Sequence, residues 1–191
     1  MAGPDFKSGC EAVIPSLVCS IRTRPRHFYD FLSEADMIKT NASRILEAAG
    51  IKHILREYDV TDGKIDGPSV ARKVGVEPER VFKTLVTVGK ARGVLVFVIP
   101  VSFELDLKKA AAAADEKFVE MIKAKDLEPL TGYVHGGCSP VGMKKPYPLF
   151  IEETATLHDT IVVSAGRVGS QMELSPEDLA RETGATFADL I

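Results

Sequence analysis

The stretch Thr131-Gly132-Tyr133-Val134-His135-Gly136-Gly137-Cys138-Ser139-Pro140-Val141-Gly142-Met143-Lys144-Lys145 is the most chemically loaded part of the chain. Four glycines, one proline and two lysines fall within these fifteen residues. Glycine lets a backbone approach a ligand closely and adopt positive φ. Gly136-Gly137 can therefore present bare N–H groups to a carbonyl or phosphate oxygen. Ser139 adds a hydroxyl that can point toward a substrate, and Lys144-Lys145 add positive charge at the exit. Composition alone leaves two readings open: a surface turn, and a loop that cradles a ligand.

The segments around this loop read as a single mixed domain. Thr40 or Asn41 can cap a helix. Ile45, Leu46, Ala48 and Ala49 give that helix an apolar stripe, and Gly50 sits where a left-handed terminator belongs. Ile51 to Tyr58 reads as a strand, Asp62-Gly63 and Asp66-Gly67-Pro68 as turns, and Ser69 to Lys73 as a short helix closed by Gly75. Arg80 to Val88 and Gly93 to Ile99 are β-rich runs joined by a turn, the signature of a hairpin. Asp106 to Ala114 is helical, Lys117 to Met121 a short strand and Lys123 to Leu130 a helical turn. After the glycine loop come strands at Leu149 to Glu152, Thr160 to Ser164 and Gly169 to Leu174. Ser175-Pro176-Glu177-Asp178 has the cap, the proline and the acids of a helix start. This irregular order of strands and helices argues against a doubly wound parallel sheet.

Composition sets broad limits. A chain of 191 residues, 45% hydrophobic and 27% charged, is ordinary for one globular domain. The net charge of −3 gives no global basic field, so any contact with nucleic acid must come from a local patch. Cys10, Cys19 and Cys138 form no C-x-x-C pair and no zinc spacing with the histidines, which points to a reduced, cytoplasmic setting. No metal or organic cofactor is indicated. No apolar run approaches the roughly 20 residues that span a bilayer. Residues 1–37 differ in character. The apolar run Ala12 to Ile21 is broken by Pro15, and Arg22, Arg24 and Arg26 follow. The segment admits a loose arm, an accessory helix from His27 to Ala35, or sequence upstream of a second start. Its slight early basic charge argues against a signal peptide.

Several motifs occur in a fixed order: Lys39-Thr40-Asn41-Ala42, the Glu57-Tyr58-Asp59 strand end, Val81-Phe82-Lys83-Thr84-Leu85-Val86, and Leu105-Asp106-Leu107-Lys108-Lys109. The T-G-Y-x-x-G-G-C-S-P-x-G-x-K-K loop, Ser164-Ala165-Gly166-Arg167 and Glu173-Leu174-Ser175-Pro176 follow. Together they resemble the YbaK/EbsC family of aminoacyl-tRNA deacylases, related to the editing domain of prolyl-tRNA synthetase, over residues 38–191. The resemblance implies an α+β fold: a twisted mixed β-sheet, partly barrel-like, flanked by helices. It also divides the chain into an extension, 1–37, and a deacylase domain, 38–191.

The resemblance implies a site as well. Lys83, a lysine inside an apolar strand, would hold the aminoacylated 3′ end or stabilise charge developing on the ester. Alternation places it with Val81, Leu85 and Thr87, opposite Phe82, Thr84 and Val86. From the strand pattern alone, snorkelling to water explains such a lysine equally well. Tyr58 would stack on the terminal adenine or hydrogen-bond the substrate. Ser164 and Gln171 would face each other on neighbouring strands beside the cleft, and this chain has a neutral amide at 171 where some relatives carry an acid. Gly136 and Gly137 would supply oxyanion donors, with Ser139 directed at the substrate.

No nucleophile is evident in the sequence. Cys138 reads as a small buried hydrophobe, and Ser139 lies in no G-x-S-x-G elbow. The resemblance supplies a way around this: the cysteinyl thiolate of Cys-tRNA can attack its own ester. The expected activity is trans-editing of Cys-tRNA(Pro), or of Cys-tRNA more broadly, beside prolyl-tRNA synthetase. The alternatives are an Ala- or Ser-tRNA deacylase using a bound water, and a non-catalytic module binding tRNA or a synthetase. Arg72, Lys73, Lys90, Arg92, Lys144, Lys145 and Arg167 are the candidates to meet the acceptor stem. Neither DNA nor a membrane is an expected partner.

Overall fold

In the computed structural model, which describes residues 38–191, eight strands and five α-helices alternate irregularly. The readings of residues 1–37, including the helix from His27 to Ala35, lie outside the described residues. Helix α1 (Asn41–Ala48) is capped by Thr40, whose hydroxyl accepts from Ser43 N–H at 3.2 Å while Ser43 Oγ accepts from Thr40 N–H at 2.9 Å. Strand β1 (His53–Glu57) follows. Helix α2 (Gly67–Val74) starts two residues earlier than the turn chemistry suggests, because Asp66 accepts from Ser69 N–H at 3.1 Å and Pro68 occupies the first turn. Gly75 closes it at φ 72°.

Strands β2 (Phe82–Gly89) and β3 (Gly93–Pro100) form the expected hairpin. They are followed by α3 (Leu107–Ala113), β4 (Val119–Met121), α4 (Ala124–Thr131) and β5 (Leu149–Glu152). The C-terminal part contains β6 (Ile161–Arg167), β7 (Ser170–Leu174), α5 (Pro176–Thr183) and β8 (Thr186–Ala188).

The strands divide into two sheets. One has five strands in the order β4-β2-β3-β5-β8, and the other is an antiparallel set in the order β1-β7-β6. The larger sheet is mixed: β2 is antiparallel to β3 and β4, whereas β5 is parallel to β3 and β8. A parallel bridge between Val81 and Val162 joins the two sheets, which gives the mixed architecture its partly barrel-like closure.

Strand β3 explains why its sequence is apolar without alternation. Val94, Val96 and Val98 face a core shared with α1, β6 and β7, while Leu95, Phe97 and Ile99 face a second core under α3. Both faces are buried, so both parities must be apolar. Phe97 stacks on Phe150 of β5 with centroids 5.3 Å apart. β8 was not anticipated. It is three residues long and is held by what surrounds it: Leu190 is fully buried, and its N–H donates to the buried Glu152 carboxylate at 2.6 Å.

Candidate functional site

A cavity of about 380 Å³ lies where the two sheets, the start of α2 and the glycine loop converge. Five of the seven residues singled out from sequence line it: Tyr58, Lys83, Gly136, Ser164 and Gln171. Ser164 and Gln171 are directly opposite each other on β6 and β7. The register continues to Arg56 on β1, which faces Gln171 from the other side. Tyr58 is 5% exposed, and its N–H donates to the Gly169 carbonyl at 2.9 Å, fixing the residue against the β6–β7 turn. A ring this deeply buried offers the cavity chiefly its hydroxyl.

Lys83 takes the strand face that alternation predicts, with Leu85 packed against the core under α3 and Phe82 and Val86 in the larger core. Its ammonium meets the Glu104 carboxylate at 2.9 Å. That partner is 91% exposed, so the pair is well solvated and easily exchanged for a substrate.

Two expectations are corrected by the geometry. Gly137 does not line the cavity, and its N–H donates to the Val134 carbonyl at 3.0 Å, leaving it no donor for a substrate. Glycine is needed there for packing: a Cβ would stand 3.0 Å from the Val168 backbone nitrogen. Ser139 is fully buried, and its hydroxyl accepts from Val141 N–H at 3.2 Å. It shapes the loop, and the cavity lining does not include it. The cavity-lining loop residues whose N–H groups meet no acceptor among the described residues are thus His135, Gly136 and Cys138. Tyr133 holds the loop's far end by donating its hydroxyl to the Val141 carbonyl at 2.6 Å.

Cys138 lines the cavity, but burial pushes its thiol up to about 11. At neutral pH it is a protonated, inert sulfur. Cys138→Ala is expected to keep deacylation within about threefold of wild type, since a small apolar side chain of this kind contributes packing alone. A complete loss in a folded variant, read by single-turnover rates, contradicts this.

Glu173 lies two residues beyond Gln171 on the same strand face and serves the scaffold. Burial pushes its carboxyl up, but bonds from the Thr160 hydroxyl (2.6 Å) and from Arg56 (2.8 Å), together with the Arg80 charge, outweigh burial and hold it below the usual range. A depressed pKa means that this stabilisation is complete above the unfolded value near about 4.3 and is lost as pH falls through the folded one. Glu173→Gln is expected to cost roughly 2–3 kcal/mol at pH 7, and to flatten the acid limb of a denaturation series. An unchanged acid limb contradicts this.

Thr84, His135, Asp66 and Gly67 also line the cavity and were not read from sequence as site residues. For Thr84 a signal was present: it is next to Lys83 in the strand. The basic candidates are partly engaged. Lys73 binds Asp62, Arg92 pairs with Asp115, Arg167 pairs with Glu57, and Lys144 donates to the Glu128 carbonyl. Among the described residues no group of three His, Cys, Asp or Glu is placed to hold a metal, and no helix is long and apolar enough to cross a membrane.

This fold, with a largely apolar cavity carrying a few polar groups at the junction of the sheets, is that of an aminoacyl-tRNA editing domain. Residues 68–182 match the model of that family, and the chain belongs to it. A protein of Enterococcus faecalis named as the Cys-tRNA(Pro)/Cys-tRNA(Cys) deacylase EbsC is 47% identical over 152 residues, which are 80% of this chain and 93% of EbsC. Among solved structures, one described as a trans-editing enzyme for prolyl tRNA synthetase superposes with a TM-score of 0.68 at 26% identity, covering 79% of this chain and 97% of its own. That of protein APE2540 gives 0.70 at 26% identity, covering 77% and 96%.

Proposed function

We propose that this chain is an aminoacyl-tRNA deacylase that hydrolyses mischarged Cys-tRNA(Pro), and Cys-tRNA more broadly, acting in trans beside prolyl-tRNA synthetase in the cytoplasm. The observation that carries the substrate is the 47% identity across nearly the whole of EbsC. Residues 38–191 form the catalytic domain in this reading, with 1–37 as an extension.

The mechanism follows from what the cavity offers. Its sulfur is inert, whereas an ammonium (Lys83), hydroxyls (Tyr58, Ser164) and loop N–H groups are available. Such a site positions an ester and stabilises charge, and leaves the attack to the substrate. The cysteinyl thiolate attacks its own carbonyl carbon. The new C–S bond closes a four-membered thiolactone as the C–O bond to the ribose breaks. The departing tRNA oxygen takes a proton, and water then opens the thiolactone to free cysteine. The Gly136 and Cys138 N–H groups bind the developing oxyanion. Gln171 and Ser164 orient the aminoacyl group. Arg72, Lys90 and Lys145 meet the acceptor stem, so binding weakens steeply with salt.

Deacylation of Cys-tRNA(Pro), Ala-tRNA(Pro) and Ser-tRNA(Pro), run side by side, tests the substrate. Fast loss of the cysteinyl ester alone is expected. Preference for the alanyl or seryl ester replaces the thiol mechanism with an attacking water, and binding without hydrolysis of any ester replaces the enzyme with a binding module.

A further inference from the structure

We propose that the open edge of β2 at Thr84 reads the α-ammonium group of the aminoacyl ester, so that the cavity accepts only esters of free α-amino acids. This rests on the deacylase reading above and assigns the part of the substrate that the edge holds.

Strand β4 pairs with β2 only at Thr87, Val88 and Gly89, and β6 meets the same side at the Val81–Val162 bridge, so between them Thr84 has β3 on one side and the cavity on the other. In an antiparallel ladder, the N–H and C=O of successive residues point alternately to the two sides. The Val81 carbonyl accepts from Val101 N–H at 2.8 Å, which directs the odd-numbered groups toward β3. The Val86 carbonyl accepts from Ile122 N–H at 3.2 Å, which directs the even-numbered groups away from it. Thr84 lies where β4 has left the sheet. Its C=O and N–H have no ladder partner among the described residues.

Two side chains on the same cavity are also unpartnered. Thr84 Oγ1 and the Tyr58 hydroxyl are both buried, and neither has a hydrogen-bond partner among the described residues. Buried polar groups are rarely left unpaired, and where they line a cavity a ligand is the natural partner. The chemistry of that ligand can be read from the acceptors. A primary ammonium carries three donors and no acceptor, which matches one carbonyl and two hydroxyl oxygens. Lys83 would repel an ammonium, but neighbouring residues of a strand point to opposite faces, and its own charge is drawn to Glu104. The cavity thus has an acceptor-rich edge at Thr84 and donors on the glycine loop, suited to the two ends of an α-aminoacyl ester.

The test uses the wild-type chain with cysteinyl-tRNA, its N-acetyl derivative and 3-mercaptopropionyl-tRNA, which keeps the thiol and lacks the amine. Each rate is normalised to uncatalysed hydrolysis of the same ester. Both altered esters are expected to lose at least about 100-fold in normalised kcat/KM, because a site built to bond a group rejects the analogue lacking it. Thr84→Val, which keeps the side-chain shape, is expected to raise KM for the cysteinyl ester about tenfold and to leave the amine-free ester unchanged. Equal processing of the cysteinyl and amine-free esters overturns the inference alone, as does an equal loss on both in Thr84→Val. Failure to hydrolyse cysteinyl-tRNA at all overturns the deacylase reading and this inference with it. Should Thr84→Val fail to fold, the comparison of esters on the wild type decides.

Discussion

Replacing Lys83 with alanine is expected to lower kcat/KM for the cysteinyl ester by roughly 10²–10³ while leaving the fold intact. Losing one preorganised group that meets developing charge typically costs about that much. The fold should survive because the only ion pair the side chain makes among the described residues is with Glu104, which is 91% exposed. Surface pairs of this kind contribute about 0–1 kcal/mol. The side chain is partly exposed and borders the open cavity, so its loss leaves no sealed void behind. Lys83→Arg separates charge from shape: it keeps the charge but offers a planar fork in place of a compact ammonium, and partial activity is expected. Matched melting temperatures with a collapsed single-turnover rate bear out this account. Wild-type rates in Lys83→Ala would return the residue to a solvated strand lysine.

Gly136→Val is expected to reduce deacylation by on the order of 10², the scale of losing one oxyanion donor. Gly136 has φ 79°, a conformation costly for any side chain and most of all for a β-branched one. A Cβ there would come within 2.8 Å of Ile65 Cδ1. Ile65 is flexible enough to move, so the steric conflict is local, but relieving the φ strain rotates the peptide that carries the free N–H. Gly184→Ala is the control. It has the same left-handed strain at φ 67°, with nothing within 4 Å of the new Cβ. It is expected to lose roughly 1–2 kcal/mol of stability and no activity. Gly137→Ala differs from both: its Cβ meets the backbone at Val168, which cannot swing aside, so stability and activity fall together.

Much of the fold was legible because it is written in local chemistry. Asp66, Asp106 and Ser175 each cap a helix through their own side chain, and Gly75 and Gly184 each end one in a left-handed turn. The hairpin of β2 and β3 follows from two β-rich runs and a turn. The division into two sheets and the strand β8 were not legible, since both depend on partners far along the chain. The Val81–Val162 bridge and the Glu152–Leu190 bond leave no local signature.

The site divides in the same way. The type and order of Lys83, Tyr58, Ser164 and Gln171 were legible, and strand register brings the last two face to face. Whether a loop N–H is free was not. Gly136 and Gly137 look identical in sequence, and only the turn closed by the Val134 carbonyl separates them. Ser139 misleads similarly, because its hydroxyl turns inward to the loop's own Val141. The open edge at Thr84 depends on where β4 stops pairing, which no pattern within β2 reveals.

In the proposed reaction the substrate's own thiol performs the attack, in a cavity whose Cys138 sulfur is held protonated by burial. The most direct measurement compares cysteinyl-tRNA(Pro) with 2-aminobutyryl-tRNA(Pro), in which a methyl group replaces the thiol at nearly constant size and the α-amine is retained. Rapid release of cysteine with the aminobutyryl ester at its uncatalysed rate is the predicted result. Hydrolysis of both esters at similar enzymatic rates would contradict it and move the attack to a water held by the protein.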